Sequence, residues 1–107
     1  MTVTAAPDWR LDVTALARPP GVRLCGEVDM STLPLLELAL ELLLDSPGDV
    51  TVDLHELTFI DVPGSRALAG AALRLRADGR RMCLSGAGPQ IRRILRLLGW
   101  DGLFHFG

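Results

Sequence analysis

Lysine is absent from this sequence: all eleven basic side chains are arginines, set against thirteen carboxylates for a formal net charge of -2. A phosphate loop that depends on a lysine therefore cannot be present. The negative balance also argues against nucleic acid as the main partner, because a phosphate backbone is gripped by clustered positive charge. Cysteine is scarce. Cys25 and Cys83 lie far apart, each inside an apolar run, so neither a CxxC redox pair nor a zinc site is indicated, and two buried free thiols are expected. No apolar run is long enough to cross a bilayer, which takes about 20 residues; the richest, Leu35 to Leu44, is interrupted by Glu37 and Glu41. The first residues carry Asp8 and no basic stretch followed by an apolar one, so no secretory leader and no membrane insertion are expected. These absences predict a soluble cytoplasmic protein with no metal and no cofactor.

What is present suits one compact domain spanning residues 1–107, with 49% hydrophobic and 22% charged side chains, and with residues 1–7 expected to fray. Trp9, Leu11 and Val13 alternate with Arg10, Asp12 and Thr14, the period-two pattern of a half-buried strand. Pro19, Pro20 and Gly21 turn the chain into a second strand, Val22 to Val28, which forms a hairpin with the first. Thr32 suits a helix N-cap, with Pro34 just inside and Leu33, Leu36, Leu40 and Leu43 at helical spacing. Ser46, Pro47 and Gly48 stop that helix, and Asp49 to Leu54 returns to period two as a third strand. After Thr58 to Ile60 a turn capped by Asp61 opens a second helix with Leu68, Ala71, Ala72 and Leu75 on one stripe. Arg81 to Ser85 is a fourth strand. A third helix from Pro89 carries Ile91, Ile94, Leu95 and Leu98 inward and Arg92, Arg93 and Arg96 outward, and Leu103 to Phe106 completes the pattern as a short last strand. Strands alternating with helices predict an α/β domain whose crossovers impose parallel pairing.

Little in the chain points to catalysis. No serine stands in a GxSxG elbow, and His55 and His105 have no helpful neighbours in sequence, so no catalytic residue is assigned. Gly86-Ala87-Gly88 precedes a helix, where free amides attract anions, but without the full GxGxxG it reads as an ordinary connection. The arginines of the third helix, with Arg80 and Arg81, are a candidate interaction patch, against the default of a solvated helix face.

Several stretches, taken in order, resemble the STAS domain of bacterial anti-sigma-factor antagonists. They are Gly26-Glu27-Val28-Asp29 at the end of a strand, Asp53-Leu54, Leu57-Thr58-Phe59-Ile60-Asp61 before a helix start bearing Gly64, and Ile91-Arg92-Arg93-Ile94-Leu95 running into Leu98-Gly99-Trp100-Asp101-Gly102-Leu103-Phe104. The resemblance extends from Asp12 to Phe106. It implies a STAS-like mixed β-sheet of four to five strands flanked by three to four helices, and a non-enzymatic regulator whose partner is an anti-sigma factor with a histidine-kinase-like ATPase fold. The implied partner-binding residues are Glu27, Asp29, Asp61, Val62, Pro63, Gly64, Ser65 and Arg66. In the family an Asp-Ser-Ser-Gly stretch is phosphorylated on its second serine. The matching residues here are Asp61-Val62-Pro63-Gly64, so Pro63, without a hydroxyl, occupies the phosphoacceptor position. Ser65 is the only nearby hydroxyl, and a step of two residues on a helix turns a side chain by about 200° away from that position. Two alternatives stay open: a STAS subunit of a membrane-transporter ATPase complex, and a nucleotide-binding module. Monomer or weak dimer also stays open.

Overall fold

The computed structural model describes residues 2–4 and 10–107 of the chain. The described residues form one mixed sheet with strands in sequence order: β1 (Thr2–Thr4), β2 (Leu11–Ala17), β3 (Pro20–Val28), β4 (Val50–Ile60), β5 (Met82–Ser85) and β6 (His105–Phe106). The β1, β2 and β3 pairings are antiparallel, and those from β3 to β6 are parallel. Three crossovers supply α1 (Leu33–Leu44), α2 (Val62–Ala77) and α3 (Pro89–Leu97), the last followed by a 3-10 turn at Asp101–Leu103. This is the α/β mixed sheet that the sequence predicts, with one strand more than expected. The added strand, β1, falls inside the segment expected to fray, and the rest of that segment, with Trp9, lies outside the described residues.

The core forms where the two hydrophobic periods meet. Leu11, Val13, Val22, Leu24, Val52 and Leu84 project from alternate strand positions into one buried cluster with Leu36, Leu40, Leu68, Leu75, Ile91 and Leu95 from the helices. Each such side chain, fully buried, stabilises the fold by about 1.5–3 kcal/mol relative to exposure. Glu37, Glu41, Arg92, Arg93 and Arg96 stay on the outer helix faces.

Four expectations need correction. The strand read as ending at Leu54 runs on to Ile60. Its pairing with β3 shifts between Arg23 and Cys25 and again between Gly26 and Glu27, so β4 buries Leu54, Leu57 and Ile60 at every third residue. Bulges of this kind hide a strand from a period-two reading. Cys25 is exposed and Cys83 half-buried rather than both buried, because each points away from the helices, next to the core-facing Leu24 and Leu84. Thr32 does precede α1, but its hydroxyl makes no cap bond to the helix. It donates to the Glu27 carbonyl at 2.9 Å and accepts from the Asp29 amide at 2.9 Å, which locks the strand-to-helix turn instead. Finally, Arg80 does not join the arginines of α3. Its guanidinium donates to the carbonyls of Gly48 at 2.7 Å, Leu44 at 3.1 Å and Ser46, satisfying acceptors that the end of α1 leaves open.

Candidate functional site

The parallel pairing of β3 and β4 ends at Val28 opposite Ile60, and the Asp61 amide donates to the Val28 carbonyl at 3.1 Å. The loops entering α1 and α2 therefore leave the sheet side by side. The two helices continue as neighbours, with Glu41 paired to Arg74 at 2.8 Å further along. All eight residues named for partner binding lie in this region: Glu27 at the end of β3, Asp29 just beyond it, Asp61 capping α2, and Val62 to Arg66 as the first five residues of that helix.

In the first loop Asp29 organises the backbone. One carboxylate oxygen accepts from the Ser31 hydroxyl at 2.6 Å and from the amides of Ser31 and Thr32 at 2.9 and 3.2 Å, and the other pairs with Arg10 at 2.7 Å. The Ser31 hydroxyl bond is the main cause holding the Asp29 carboxyl below its ordinary value. Desolvation opposes it, while the Ser31 amide, the Arg10 guanidinium and the Thr32 amide reinforce it. Arg10 also reaches Glu27 at 3.5 Å, so the two acidic residues of this loop share one cation.

In the second loop Asp61 caps α2, its carboxylate accepting from the Gly64 amide at 2.8 Å as its sequence position predicts. Gly64 is buried. A β-carbon there would stand 2.5 Å from a methyl of Val28 and 2.9 Å from Ile60, so only glycine lets the helix start this close to the sheet. Ser65 is fully buried, and its hydroxyl donates to the Asp61 carbonyl at 2.9 Å. Val62, Pro63 and Arg66 are exposed. The sequence reading missed Met30, which stands 82% exposed between the two acidic residues and the start of α1. A lone apolar residue in a polar loop carried the only signal. The surface thus presents Met30, Val62 and Pro63 to solvent, flanked by the carboxylates of Glu27, Asp29 and Asp61, while Gly64 and Ser65 shape it from beneath.

A second polar cluster lies on the sheet face away from the helices. His55, which has no helpful neighbours in sequence, meets Asp53 in space: its Nδ1 is 2.7 Å from an Asp53 oxygen, and Arg23 reaches the other at 3.1 Å. The Gly86 turn packs against that ring. Gly86 has φ +70°, and a β-carbon would fall 2.3 Å from the His55 ring, so this glycine serves the turn and its close approach to His55. Burial pushes the Asp53 carboxyl upward, but hydrogen bonds from the His55 amide, the His55 ring and Arg23 outweigh it and hold the group below its ordinary value. A carboxyl depressed in the fold contributes stability that is present above its unfolded pKa and is lost as pH falls through the folded one. Asp53→Asn is therefore expected to flatten the acid limb of stability below about pH 4, read from urea midpoints across that range. An unchanged acid limb would show that the cluster does not stabilise the fold.

Among the described residues no group of three or more His, Cys, Asp or Glu side chains is placed to hold a metal ion, and no helix is long and apolar enough to cross a membrane.

Comparison with known proteins agrees with this geometry. The family model described as "Mlab, STAS domain" matches residues 11–105. A solved anti-sigma factor antagonist from Mycobacterium paratuberculosis is 30% identical and superposes with a TM-score of 0.76, covering 96% of this chain and 89% of its own. The anti-sigma-B factor antagonist of Staphylococcus aureus is 27% identical over 85 residues, 78% of this chain and 79% of that protein. The Bacillus cell fate determinant SpoIIAA in its phosphorylated form, at 17% identity, shares the fold with a TM-score of 0.66 over 91% of this chain and 90% of its own. The sheet order, the two adjoining loops and the match across nearly the whole chain lead to one conclusion: this protein belongs to the STAS domain family.

Proposed function

We propose that this protein is a non-enzymatic cytoplasmic regulator that acts as an anti-sigma-factor antagonist, binding an anti-sigma factor with a histidine-kinase-like ATPase fold. Glu27, Asp29, Asp61, Val62, Pro63 and Arg66 form the contact surface, and Gly64 and Ser65 hold its shape. The observation that carries the reading is the end of β3 and β4, where exposed Met30, Val62 and Pro63 sit among three carboxylates. Exposed apolar side chains ringed by charge suit protein association: the apolar centre is desolvated and the charges steer the encounter. The anti-sigma-factor antagonists among the relatives support the same role. Pro63 at the phosphoacceptor position makes the chain a regulator that is not switched there.

The test is affinity for the anti-sigma factor of the native host. Because Asp61 caps α2, its reversal would cost stability as well as charge, so the clean variants are Asp61→Asn, which keeps a capping oxygen, and Asp29→Asn. Each is expected to weaken binding about tenfold, mainly through the association rate, with the thermal midpoint of Asp61→Asn close to wild type and that of Asp29→Asn slightly lower through loss of the Arg10 pair. Unchanged affinity in both, together with loss of binding in a variant on the far side of the sheet, would overturn the assignment.

The absence of a hydroxyl at Pro63 also favours a second reading, in which the chain is a constitutive STAS subunit on the ATPase of a membrane transporter. Co-purification from the native host separates the two by recovering either a small ATPase-fold regulator or a transporter ATPase.

A further inference from the structure

β4 is much longer than the strand beside it. It is eleven residues long and pairs with β3 along one edge between Thr51 and Ile60, with two register shifts, but β5 covers only Val50 to Asp53 on the other. Beyond that point the chain of β5 turns away at Gly86 and leads into α3, which packs inward through Ile91 and Leu95. Among the described residues no strand and no backbone hydrogen bond from α3 meets the free edge of residues 56–60. An unpaired edge of this kind is a template for another strand.

A groove of about 260 Å³ runs along the edge, with Thr58, Phe59 and Ile60 on one wall and Ile91, Arg93 and Ile94 on the other. Phe59 is 48% exposed, an unusual state for an aromatic side chain this close to a core. Its lining carries one charge, the cation of Arg93, while the exposed Glu56 stands at the far end of the same edge, outside the groove. Arg93 is part of its wall and Arg96 lies one turn further along α3. No carboxylate stands within salt-bridge distance of either among the described residues, and no acidic side chain lines the groove. Arg92, by contrast, is engaged over the Phe106 ring at 4.6 Å.

From these features we infer that the groove is a docking site for an extended, acidic segment of a partner protein. The segment adds to the free edge of β4 as a strand, sets aliphatic side chains against Phe59, Ile91 and Ile94, and brings a carboxylate to Arg93. The edge supplies backbone hydrogen bonds, the apolar walls select alternate side chains, and Arg93 selects the charge. Since the groove ends one residue before Asp61, a protein seated on the α2 turn can reach it with a flanking segment. The inference concerns a separate surface and holds whichever partner occupies that turn.

The test uses the full-length protein with ¹⁵N-labelled amides and three blocked hexapeptides. One alternates valine with glutamate, one alternates valine with lysine, and one is the first peptide with every amide N-methylated, which removes the donors from both edges. The glutamate peptide is expected to produce saturable shifts in residues 55–60 and 89–96 at or below about 1 mM. Affinity is expected to fall about tenfold or more with the lysine peptide and with the exposed variant Arg93→Glu, and the N-methylated peptide, which cannot pair, should lose binding altogether. Equal binding of all three peptides, no shifts at that concentration, or shifts confined to another face would overturn the inference. So would concentration-dependent broadening of the same amides without peptide, which would mean that a second copy of the chain occupies the edge.

Discussion

Leu68→Ala is expected to lower the unfolding free energy by roughly 2–5 kcal/mol, and Leu95→Ala by a similar amount. Both side chains are completely buried. Leu68 anchors the middle of α2, and Leu95 is one of the two residues through which α3 enters the core. Truncation removes the transfer free energy of three carbons and leaves a void that a sheet packed beneath helices fills poorly, which is why the cost exceeds that of exposure alone. A domain of this size has a net stability of about 5–15 kcal/mol, so either change consumes a large share of it. The thermal midpoint should drop by roughly 4–8 °C per kcal/mol for a chain of about 100 residues. Reversible urea or thermal unfolding of the two variants provides the measurement, and a loss below about 1 kcal/mol in both would mean that the helix faces had been misassigned.

The other large effect concerns Pro63. Incubated with ATP and its proposed kinase-type partner, the wild-type protein is expected to take up no phosphate in the turn from Asp61 to Ser65, whereas Pro63→Ser is expected to be phosphorylated. Neither Val62 nor Pro63 carries a nucleophilic oxygen. The one hydroxyl in the turn belongs to Ser65, which is fully buried and donates to the Asp61 carbonyl, so a kinase would have to unpack the start of α2 to reach it. Pro63 itself is exposed in the first turn of α2, where a missing amide hydrogen costs little, and serine fits the same backbone. A phosphate there adds about -1.5 to -2 charge beside Asp61 and Asp29, which the helix N-terminus offsets in the free protein but which an apolar contact with a partner does not, so the modified variant should bind more weakly. Intact-mass and peptide mass spectrometry decide it. Phosphate on wild-type Ser65 would overturn the idea of an unswitched regulator, and an unmodified Pro63→Ser would show that a partner of this kind does not dock here.

Much of this architecture was legible in the sequence because the elements obey local rules. The apolar stripe of α2, the inward face of α3 and the Asp61 cap are set by spacing and backbone chemistry within a few residues, as is the hairpin, although its turn lies at Arg18 and Pro19, and Pro20 and Gly21 already pair in β3. The Asp61 to Arg66 turn could be singled out for the same reason. Its position beside Glu27 and Asp29 came instead from resemblance, because no local signal reports which loops share an end of a sheet.

What the sequence determined by itself was the order and kind of the main elements, the apolar faces that pack and the absence of a hydroxyl at Pro63, since each depends on residue identity or on contacts close along the chain. The tertiary structure decided the rest. It made a strand of residues 55–60 despite two bulges, turned Cys25 outward, brought Asp53 and Arg23 to His55, used Arg80 to close the end of α1 and left one edge of β4 open beside α3. Each of these outcomes rests on register or on contacts between residues distant in sequence. Pairing across strands and closure between elements are long-range choices that hydrophobic period and local propensity leave undetermined.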